Sequence, residues 1–161
     1  MTTTEYNDCV NQYADGLFRY LVKNLKDEFE AENIVQNTFE KLWVRIEHIK
    51  VETVKSYLYK IAYHEMIDVI RRKGRYLPIE NANSIEVVNH EYDNVVDYVN
   101  KALDRLPDQQ KSVVLLRDFE GYDYQSIGKI TGLSESQVKV NIHRARKKIK
   151  VFISKLELMI L

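Results

Sequence analysis

Apolar residues recur at helical spacing along almost the whole chain, and no stretch shows the strict alternation of apolar and polar residues typical of a half-buried strand. A chain with this pattern can bury its apolar side chains only by packing helix against helix. Two prolines in 161 residues and an apolar content of 45% are typical of a folded chain rather than a disordered one. The sequence therefore predicts an all-α fold.

The helical pattern falls into two blocks, separated by a segment that has no period. In the first block the predicted helices cover about 5–25, 31–49 and 53–73, with Thr53 as the N-cap of the third helix and Gly74 as its end. The segment 76–92, YLPIENANSIEVVNHEY, contains Pro78 and carries no Lys or Arg. We therefore expect two small helical domains, 1–75 and 93–161, joined by a linker at 76–92.

The charge is balanced overall but unevenly distributed. Residues 1–93 hold 12 basic and 16 acidic side chains, whereas residues 94–161 hold 12 basic and 8 acidic ones. The two halves are therefore predicted to meet partners of opposite charge. A single cysteine, Cys9, excludes an intramolecular disulfide and a cysteine-based metal site, and no run approaches the roughly 20 apolar residues of a membrane span. We expect a cytoplasmic protein that uses no metal and no cofactor.

Residues 124–150 have the pattern of a helix-turn-helix. A short helix at 124–131 is followed by Gly132, which suits a left-handed turn, and by Ser134, which suits the N-cap of a long final helix. Gly128 is expected to let the two helices approach closely. The apolar residues predicted to fill the wedge between these helices are Ile127, Leu133, Val138 and Ile142.

The final helix carries a basic face opposite its apolar one. Seven Lys or Arg and no Asp or Glu lie between Ser136 and Lys155. Neighbouring like charges repel each other, and a phosphate backbone would offset that repulsion. A solvated basic helix is the alternative, which the preceding turn disfavours. The candidate DNA-contacting residues are Ser136, Lys139, Val140, His143, Arg144 and Lys147. Val140 suits contact with a thymine methyl group, and its neighbours suit base edges or phosphates.

One side of the third predicted helix combines aromatic and basic residues. Tyr57, Lys60, His64 and Arg71 share this side, which suits unstacked bases beside a phosphate chain. Taken singly, Tyr57 and Tyr59 are more typical of half-buried core aromatics. The basic run RRKGR at 71–75 holds more charge than a helix C-terminus needs, and it favours nucleic-acid binding for the set.

The second predicted helix is acidic. Its predicted apolar stripe consists of Val35, Phe39, Leu42, Ile46 and Ile49. The polar residues Asn33, Gln36, Asn37 and Glu40 point away from that stripe. Because the surface is acidic, it would repel DNA and suits a basic protein partner, while an ordinary solvated helix face is the other interpretation.

Three segments together resemble the sigma subunits of bacterial RNA polymerase, in their compact extracytoplasmic-function group. They are AENIVQNTFEKLW at 31–43, SYLYKIAYHEMIDVIRRK at 56–73, and LPDQQKSVVLLRDFEGYDYQSIGKITGLSESQVKVNIHRARKKI at 106–149. The resemblance covers nearly the whole chain. It implies a factor that binds core RNA polymerase and directs initiation at promoters through their minus-thirty-five and minus-ten elements.

The resemblance also implies roles for particular residues. Docking on the clamp helices of the largest polymerase subunit falls to Glu32, Asn33, Gln36, Asn37 and Glu40. Asn33 and Asn37 are departures, since the family usually has acidic residues at two of these places. The implied minus-ten contacts are His48, Lys50, Thr53, Tyr57, Lys60, His64, Arg71 and Arg72, and the loop 48–53 would hold a flipped-out base. The basic face of the final helix would read the minus-thirty-five element. The family often pairs with an anti-sigma protein, and the free chain is expected to be a monomer.

Two other function classes fit the sequence less well. A dimeric helix-turn-helix regulator would need two-fold symmetry and would leave the aromatic and basic third helix unexplained. An enzyme is disfavoured because the string HEMID at 64–68 ends in Asp68 where a zinc hydrolase of the HExxH type has its second histidine. No glycine-rich phosphate loop or activated nucleophile is apparent either.

Overall fold

The structure is a computed structural model that describes residues 1–76 and 95–160. Within these ranges no residue is in a strand, and the all-α prediction is confirmed. The helices are α1 (Thr3–Leu25), α2 (Glu28–Val44), α3 (Val54–Tyr76), α4 (Val95–Asp104), α5 (Asp108–Val114), α6 (Tyr124–Thr131) and α7 (Glu135–Ile160). All of the predicted linker except Tyr76 lies outside the described residues.

Helices α1, α2 and α3 pack against one another as the first bundle. Local capping fixes where the first two helices begin. Thr2 forms a capping box with Glu5, in which each side chain accepts a hydrogen bond from the other residue's backbone N–H. The Asp27 carboxylate caps α2 by accepting from the Glu30 N–H at 3.1 Å. The buried centre of this bundle includes Leu17, Leu21, Leu42, Leu58, Ala62 and Met66.

Three predictions about the helix ends in this bundle are wrong. Helix α2 ends at Val44, so Ile46 and Ile49 lie beyond it. In the first half of α2, Ile34 rather than Val35 is the fully buried apolar residue. Gly74 does not end α3, which continues to Tyr76. The cap at Thr53 is also absent, because Val51–Thr53 form a 3-10 turn in which the Thr53 hydroxyl donates to the Lys50 carbonyl at 3.1 Å.

Helices α4 to α7 form the second bundle, in which α7 packs on α4, α5 and α6. Helix α5 runs into a π-helical turn, Leu115–Phe119, which ends with the Glu120 N–H donating to the Leu115 carbonyl at 3.1 Å. Asp123 then caps α6, its carboxylate accepting from the Ser126 N–H at 2.7 Å.

The helix-turn-helix has the predicted turn chemistry. Gly132 ends α6 in the left-handed region, with φ of 79°. The Ser134 hydroxyl accepts from the Gln137 N–H at 3.1 Å, and the Gln137 side chain accepts from the Ser134 N–H at 2.9 Å. Ile127, Val138 and Ile142 are buried between the helices as predicted, while Leu133 is partly buried. The turn and the buried side chains therefore fix the position of α7 relative to α6.

The two bundles are in contact along α3 and α6, and to a smaller extent along α1 and α5. At the centre of this contact the rings of Tyr59 and Tyr122 lie edge to face with their centroids 5.4 Å apart. None of the helices in the described ranges has a stretch long and apolar enough to cross a bilayer.

The close approach at Gly128 predicts an unusual response to substitution. A Cβ added there would lie 2.9 Å from the Leu133 backbone carbonyl oxygen, which cannot rotate away. We expect Gly128→Ala to lower the free energy of unfolding by about 1–3 kcal/mol, as overpacking does elsewhere. Urea denaturation followed by circular dichroism measures the change.

Gly74 provides the matched control for this substitution. It is also inside a helix, but a Cβ there meets nothing within 4 Å. Gly74→Ala should therefore raise the free energy of unfolding by about 0.5–1 kcal/mol through helix propensity. Equal effects of the two substitutions would show that the contact with Leu133 does not constrain the fold.

Candidate functional site

The six residues predicted to read DNA on α7 are all exposed, and the opposite face of the helix is buried at Val138, Ile142 and Ala145. Val140 is 45% exposed, an uncommon position for an apolar side chain in the middle of a basic face. The helix therefore presents one continuous polar surface from Ser136 to Lys147. The one apolar side chain of the predicted set, Val140, lies within this surface and is accessible to a ligand.

Internal ion pairs occupy some of the basic side chains of α7. Lys139 pairs with Glu135 one turn earlier at 3.5 Å, and both side chains are exposed. The guanidinium of Arg146 donates from Nε to the Asp118 carboxylate at 3.1 Å, and this contact raises the pKa of Arg146. Among the described residues, Arg144 and Lys147 have no acidic partner within ion-pair distance. These two members of the predicted reading face are therefore available to phosphates.

A cleft of about 750 Å³ separates α2 from α3 and collects three of the predicted minus-ten residues. Tyr57, Lys60 and His64 line its α3 side, and Glu40 lines its α2 side. The ring of His64 is oriented by its Nδ1–H, which donates to the Lys60 carbonyl at 2.6 Å. Its Nε2 atom is then the ring nitrogen that remains for a ligand.

The connection between α2 and α3 carries His48, Lys50 and Thr53, all of them exposed. The chain's amino group donates to the Ile46 carbonyl at 3.0 Å and ties this connection to the start of α1. Thr53 borders a crevice shared with Tyr57, whereas His48 and Lys50 line neither that crevice nor the cleft. The structure thus brings only some of the predicted minus-ten residues together in one cleft.

The basic end of α3 lies apart from the cleft. Arg71 is 14 residues beyond Tyr57, which places it roughly 21 Å away along the helix axis. Arg71 and Arg72 are exposed there. Lys73 has a structural role, because its ammonium donates to the Asp27 carboxylate at 2.7 Å and so joins the end of α3 to the start of α2. The basic run thus contributes less free charge than its sequence indicates.

On α2, four of the five predicted docking residues are exposed, and Asn33 is half-buried. The Asn37 amide donates to the Glu65 carboxylate at 3.5 Å, and Lys41 pairs with Glu65 at 2.7 Å. These contacts tie α2 to α3 beside the exposed docking residues. The predicted docking residues therefore lie on a helix whose position is fixed by α3.

Sequence reasoning missed two apolar residues on this face of α2. Phe29 is 72% exposed and Val44 is 82% exposed, one at each end of the polar set. Both fall out of phase with the buried stripe, which was the signal available in the sequence.

Two family models match the chain in tandem. Residues 9–76 match "Sigma-70 region 2", and residues 97–149 match "Sigma-70, region 4". Together they cover well over half of the chain, in the order that the two bundles follow. The chain belongs to the sigma-70 family of RNA polymerase sigma factors. The resemblance inferred from the three sequence segments is thereby confirmed.

Curated relatives of this sigma factor carry the same designation. It is 29% identical to "RNA polymerase sigma factor SigV" of Bacillus subtilis, over 93% of this chain and 92% of that one. It is 27% identical to "ECF RNA polymerase sigma factor SigE" of Mycolicibacterium smegmatis, where the match covers 93% of this chain but 62% of the longer relative.

Solved structures support the same fold. The sigma factor RpoE of Bartonella quintana, in a co-crystal with the anti-sigma factor NepR, matches with a TM-score of 0.77 and 20% identity over 94% of this chain and 98% of that one. The structure of CnrH in complex with the cytosolic domain of CnrY matches with a TM-score of 0.68 and 18% identity, covering 93% of this chain and 88% of that one.

The ion pair between Asp27 and Lys73 predicts a pH-dependent contribution to stability. The hydrogen bond from Lys73, assisted by the Glu30 N–H, lowers the pKa of the Asp27 carboxyl. Stability from such a group is present above the unfolded-state pKa of about 4 and is lost as the pH falls through the folded-state pKa. Asp27→Asn keeps an N-cap and removes the charge. We expect it to be less stable than the parent at pH 7 and to approach the parent's stability at about pH 2 to 3.

Urea unfolding at pH 7, 5 and 3 measures this difference. Lys73→Met is the matched control, since it removes the other partner; it should also be less stable than the parent at pH 7 and approach the parent's stability as Asp27 becomes protonated. A stability difference between Asp27→Asn and the parent that stays constant from pH 7 to pH 3 would contradict the assignment.

Proposed function

We propose that this protein is a sigma factor of the extracytoplasmic-function type, which binds core RNA polymerase and directs promoter-specific initiation. The observation that carries the proposal is the tandem match to sigma-70 regions 2 and 4, with an exposed basic face on the second helix of the helix-turn-helix. The curated relatives bear the name of this function. The protein acts as a non-catalytic regulator in the cytoplasm, and no cofactor is required.

The first domain, 1–75, docks on the polymerase and handles the minus-ten element. Its docking face on α2 comprises Glu32, Asn33, Gln36, Asn37 and Glu40, flanked by the exposed Phe29 and Val44. Exposed carboxylates on α2 attract a basic partner and speed its encounter, and the flanking apolar groups supply burial. Its minus-ten surface comprises the connection 48–53 and the exposed side of α3.

The second domain, 93–161, reads the minus-thirty-five element in the major groove. Arg144 and Lys147 contact phosphates because no carboxylate within residues 1–76 and 95–160 pairs with them. His143 and Val140 reach base edges from the same face. Lys139 contributes after releasing Glu135, an exchange that is inexpensive because the ion pair is exposed.

Energetics explain why such a chain works together with a larger enzyme. Each base-pair step that is opened costs roughly 1.4 kcal/mol of stacking, and each base captured by a side chain returns only about 1–3 kcal/mol. Of the α3 side chains that line the cleft, only Tyr57, Lys60 and His64 are aromatic or basic, so they can capture only a few bases. The polymerase must therefore supply the remaining free energy of melting, and the free chain binds promoter DNA weakly as a monomer.

An anti-sigma protein is the proposed regulator. One structural neighbour was solved with the anti-sigma factor NepR, and another was solved with the cytosolic domain of CnrY. The mixed surface of this chain, acidic and apolar on α2 and basic on α7, offers such a partner two complementary sites.

Transcription in vitro with purified core polymerase tests the function directly, and it also separates the roles on α7. We expect Lys147→Ala to weaken initiation at all promoters and to reduce the salt slope by about one phosphate contact. Val140→Ala and His143→Ala should instead change base preference in the minus-thirty-five element, with about 1–3 kcal/mol of altered discrimination. If all three variants lose activity equally at every promoter, this face does not read sequence.

A second pair of variants separates docking from melting. Tyr57→Ala and His48→Ala should leave the affinity for core polymerase unchanged and lower open-complex formation about tenfold, since the loss of one stacked base costs about 1–3 kcal/mol. Glu40→Ala should lower core affinity instead. Pull-down titrations measure the affinity, and permanganate reactivity of unpaired thymines measures opening. Loss of core binding in Tyr57→Ala would place that residue in the docking surface.

A further inference from the structure

A groove of about 470 Å³ lies between the C-terminal end of α4 and the second half of α7, and we name it the α4–α7 groove. Its volume falls in the range of about 300–1,000 Å³ that small-molecule sites occupy. Apolar side chains form its floor. Leu106 is buried, Phe152 is half-buried and Val151 is 47% exposed. The floor is therefore apolar and accessible to a ligand.

Five cations surround this floor. They are Arg105 of α4 and Arg144, Lys147, Lys148 and Lys155 of α7. No Asp or Glu lines the groove, and within residues 1–76 and 95–160 none of the five cations forms an ion pair. Like charges at i and i+4, such as Arg144 and Lys148, repel each other. An anion bound in the groove would relieve this repulsion.

Arg105 is positioned by an aromatic ring. Its guanidinium carbon lies 4.5 Å from the centroid of the Phe152 ring. A guanidinium can stack on a ring and still donate its N–H groups in its own plane, in a geometry that suits a phosphate group. The contact with Phe152 therefore holds a phosphate-binding side chain beside the apolar floor, which reduces the entropy lost when a ligand binds.

A neighbouring cavity of similar size has a different charge. It is about 460 Å³ in volume, and Asp118 and Glu157 line it together with Arg146 and Lys150. The guanidinium of Arg146 is already paired with Asp118. Carboxylates in that cavity would repel an anion. The unpaired cations of the α4–α7 groove are therefore not a general property of the clefts along α7.

DNA bound at the reading face does not account for the whole groove. Lys155 is 15 residues beyond Val140, which places it roughly 22 Å away along the helix axis. The major groove is only about 8.5 Å deep, and a helix-turn-helix reads it with the N-terminal residues of its second helix. Phe152 and Lys155 therefore lie outside the major groove, whereas Arg144 and Lys147 belong to both surfaces.

The chemistry of the groove defines its ligand. Five cations match several negative charges better than a single carboxylate. The apolar floor extends over only about one turn of each helix, Ala102–Leu106 on α4 and Val151–Phe152 on α7. A partner helix needs apolar anchor points at i, i+4 and i+7, whereas one flat ring needs a single apolar surface. We propose that the α4–α7 groove binds a nucleotide that carries several phosphate groups.

In this arrangement the base lies on the apolar floor and the phosphates bind the surrounding cations. Because Arg144 and Lys147 line both the groove and the reading face, a bound nucleotide competes with DNA phosphates for these two side chains. The nucleotide site itself does not depend on the proposed function. Only its effect on DNA binding rests on that function.

Isothermal titration calorimetry of the full-length chain with ATP, in the absence of divalent cations, tests the site. We expect ATP to bind about tenfold or more tightly than inorganic tripolyphosphate, which lacks the ring, and than adenosine, which lacks the phosphates. Both parts of the ligand contribute only if the apolar floor and the cations act together.

Substitutions on the two walls of the groove locate the site. Arg105→Gln and Lys155→Gln should each weaken ATP binding about three- to tenfold, because each removes one cation that binds a phosphate. Lys150→Gln is the matched control, since it makes the same charge change on α7 but lines the neighbouring cavity. It should leave the affinity for ATP unchanged. Circular dichroism verifies that the variants are folded, and Lys155→Gln, which is exposed, decides alone if Arg105→Gln is not.

Several results would overturn the nucleotide site. Tripolyphosphate that binds as tightly as ATP would reduce the groove to a general cationic surface, and equal weakening by Lys150→Gln would do the same. A glutamate-rich peptide with one tryptophan that binds more tightly than ATP would assign the groove to a protein partner instead. Absence of ATP binding would leave no site.

Competition with a DNA duplex of mixed sequence tests the consequence, since phosphate contacts bind such a duplex without regard to its sequence. At constant ionic strength, saturating ATP should weaken duplex binding by the parent about two- to tenfold, and by Lys155→Gln less. Undiminished duplex binding in saturating ATP would overturn the competition. If the parent bound no duplex even without ATP, the proposed function of the α7 face would fail, while calorimetry would still decide whether the nucleotide site exists.

Discussion

Burial of apolar helix faces is the constraint from which the rest of this structure follows. An all-α chain has no sheet to cover, so most of its helices bury one side and leave the other side to solvent, while α5 is buried on all sides from Gln110 to Val114. In α7 the buried side is Val138, Ile142 and Ala145, and in α3 it includes Leu58, Ala62 and Met66. The faces proposed to bind DNA and the polymerase are the sides of α7, α3 and α2 that this packing leaves exposed.

Internal partners then reduce the charge that these free faces offer. The sequence of α7 presents a run of cations, but Arg146 is held by Asp118 and Lys139 is paired with Glu135. At the end of α3, Lys73 joins two helices through Asp27. The composition does not distinguish among these cations. The fold shows which of them are held in internal ion pairs and which are free to contact a phosphate. Arg144 and Lys147 on α7 and the exposed Arg71 and Arg72 on α3 belong to the free group.

The contact between the domains has a different physical character from the core of either bundle. Within each bundle the buried side chains are mostly aliphatic, whereas the contact between the bundles adds an edge-to-face tyrosine pair, a cation over a ring and the Glu120 side chain, which is only 8% exposed. Tyrosines and carboxylates can be hydrated when two folded domains separate, at a lower cost than aliphatic groups. Such a contact can break while both domains stay folded, which suits a factor that must bind a large enzyme and two stretches of DNA.

The sequence by itself determined the helical class, the helix-turn-helix with Gly132 and Ser134, and the exposed face of α7, because periodicity and capping are local properties of the chain. It placed the end of α2 too late, since the apolar spacing continues past Val44 at Ile46 and Ile49 although the helix does not. Only the tertiary structure decided that Tyr59 meets Glu120, 61 residues further along the chain, and that Lys73 belongs to Asp27. Periodicity reports which side of a helix is apolar, and it carries no information on which distant residue will cover that side.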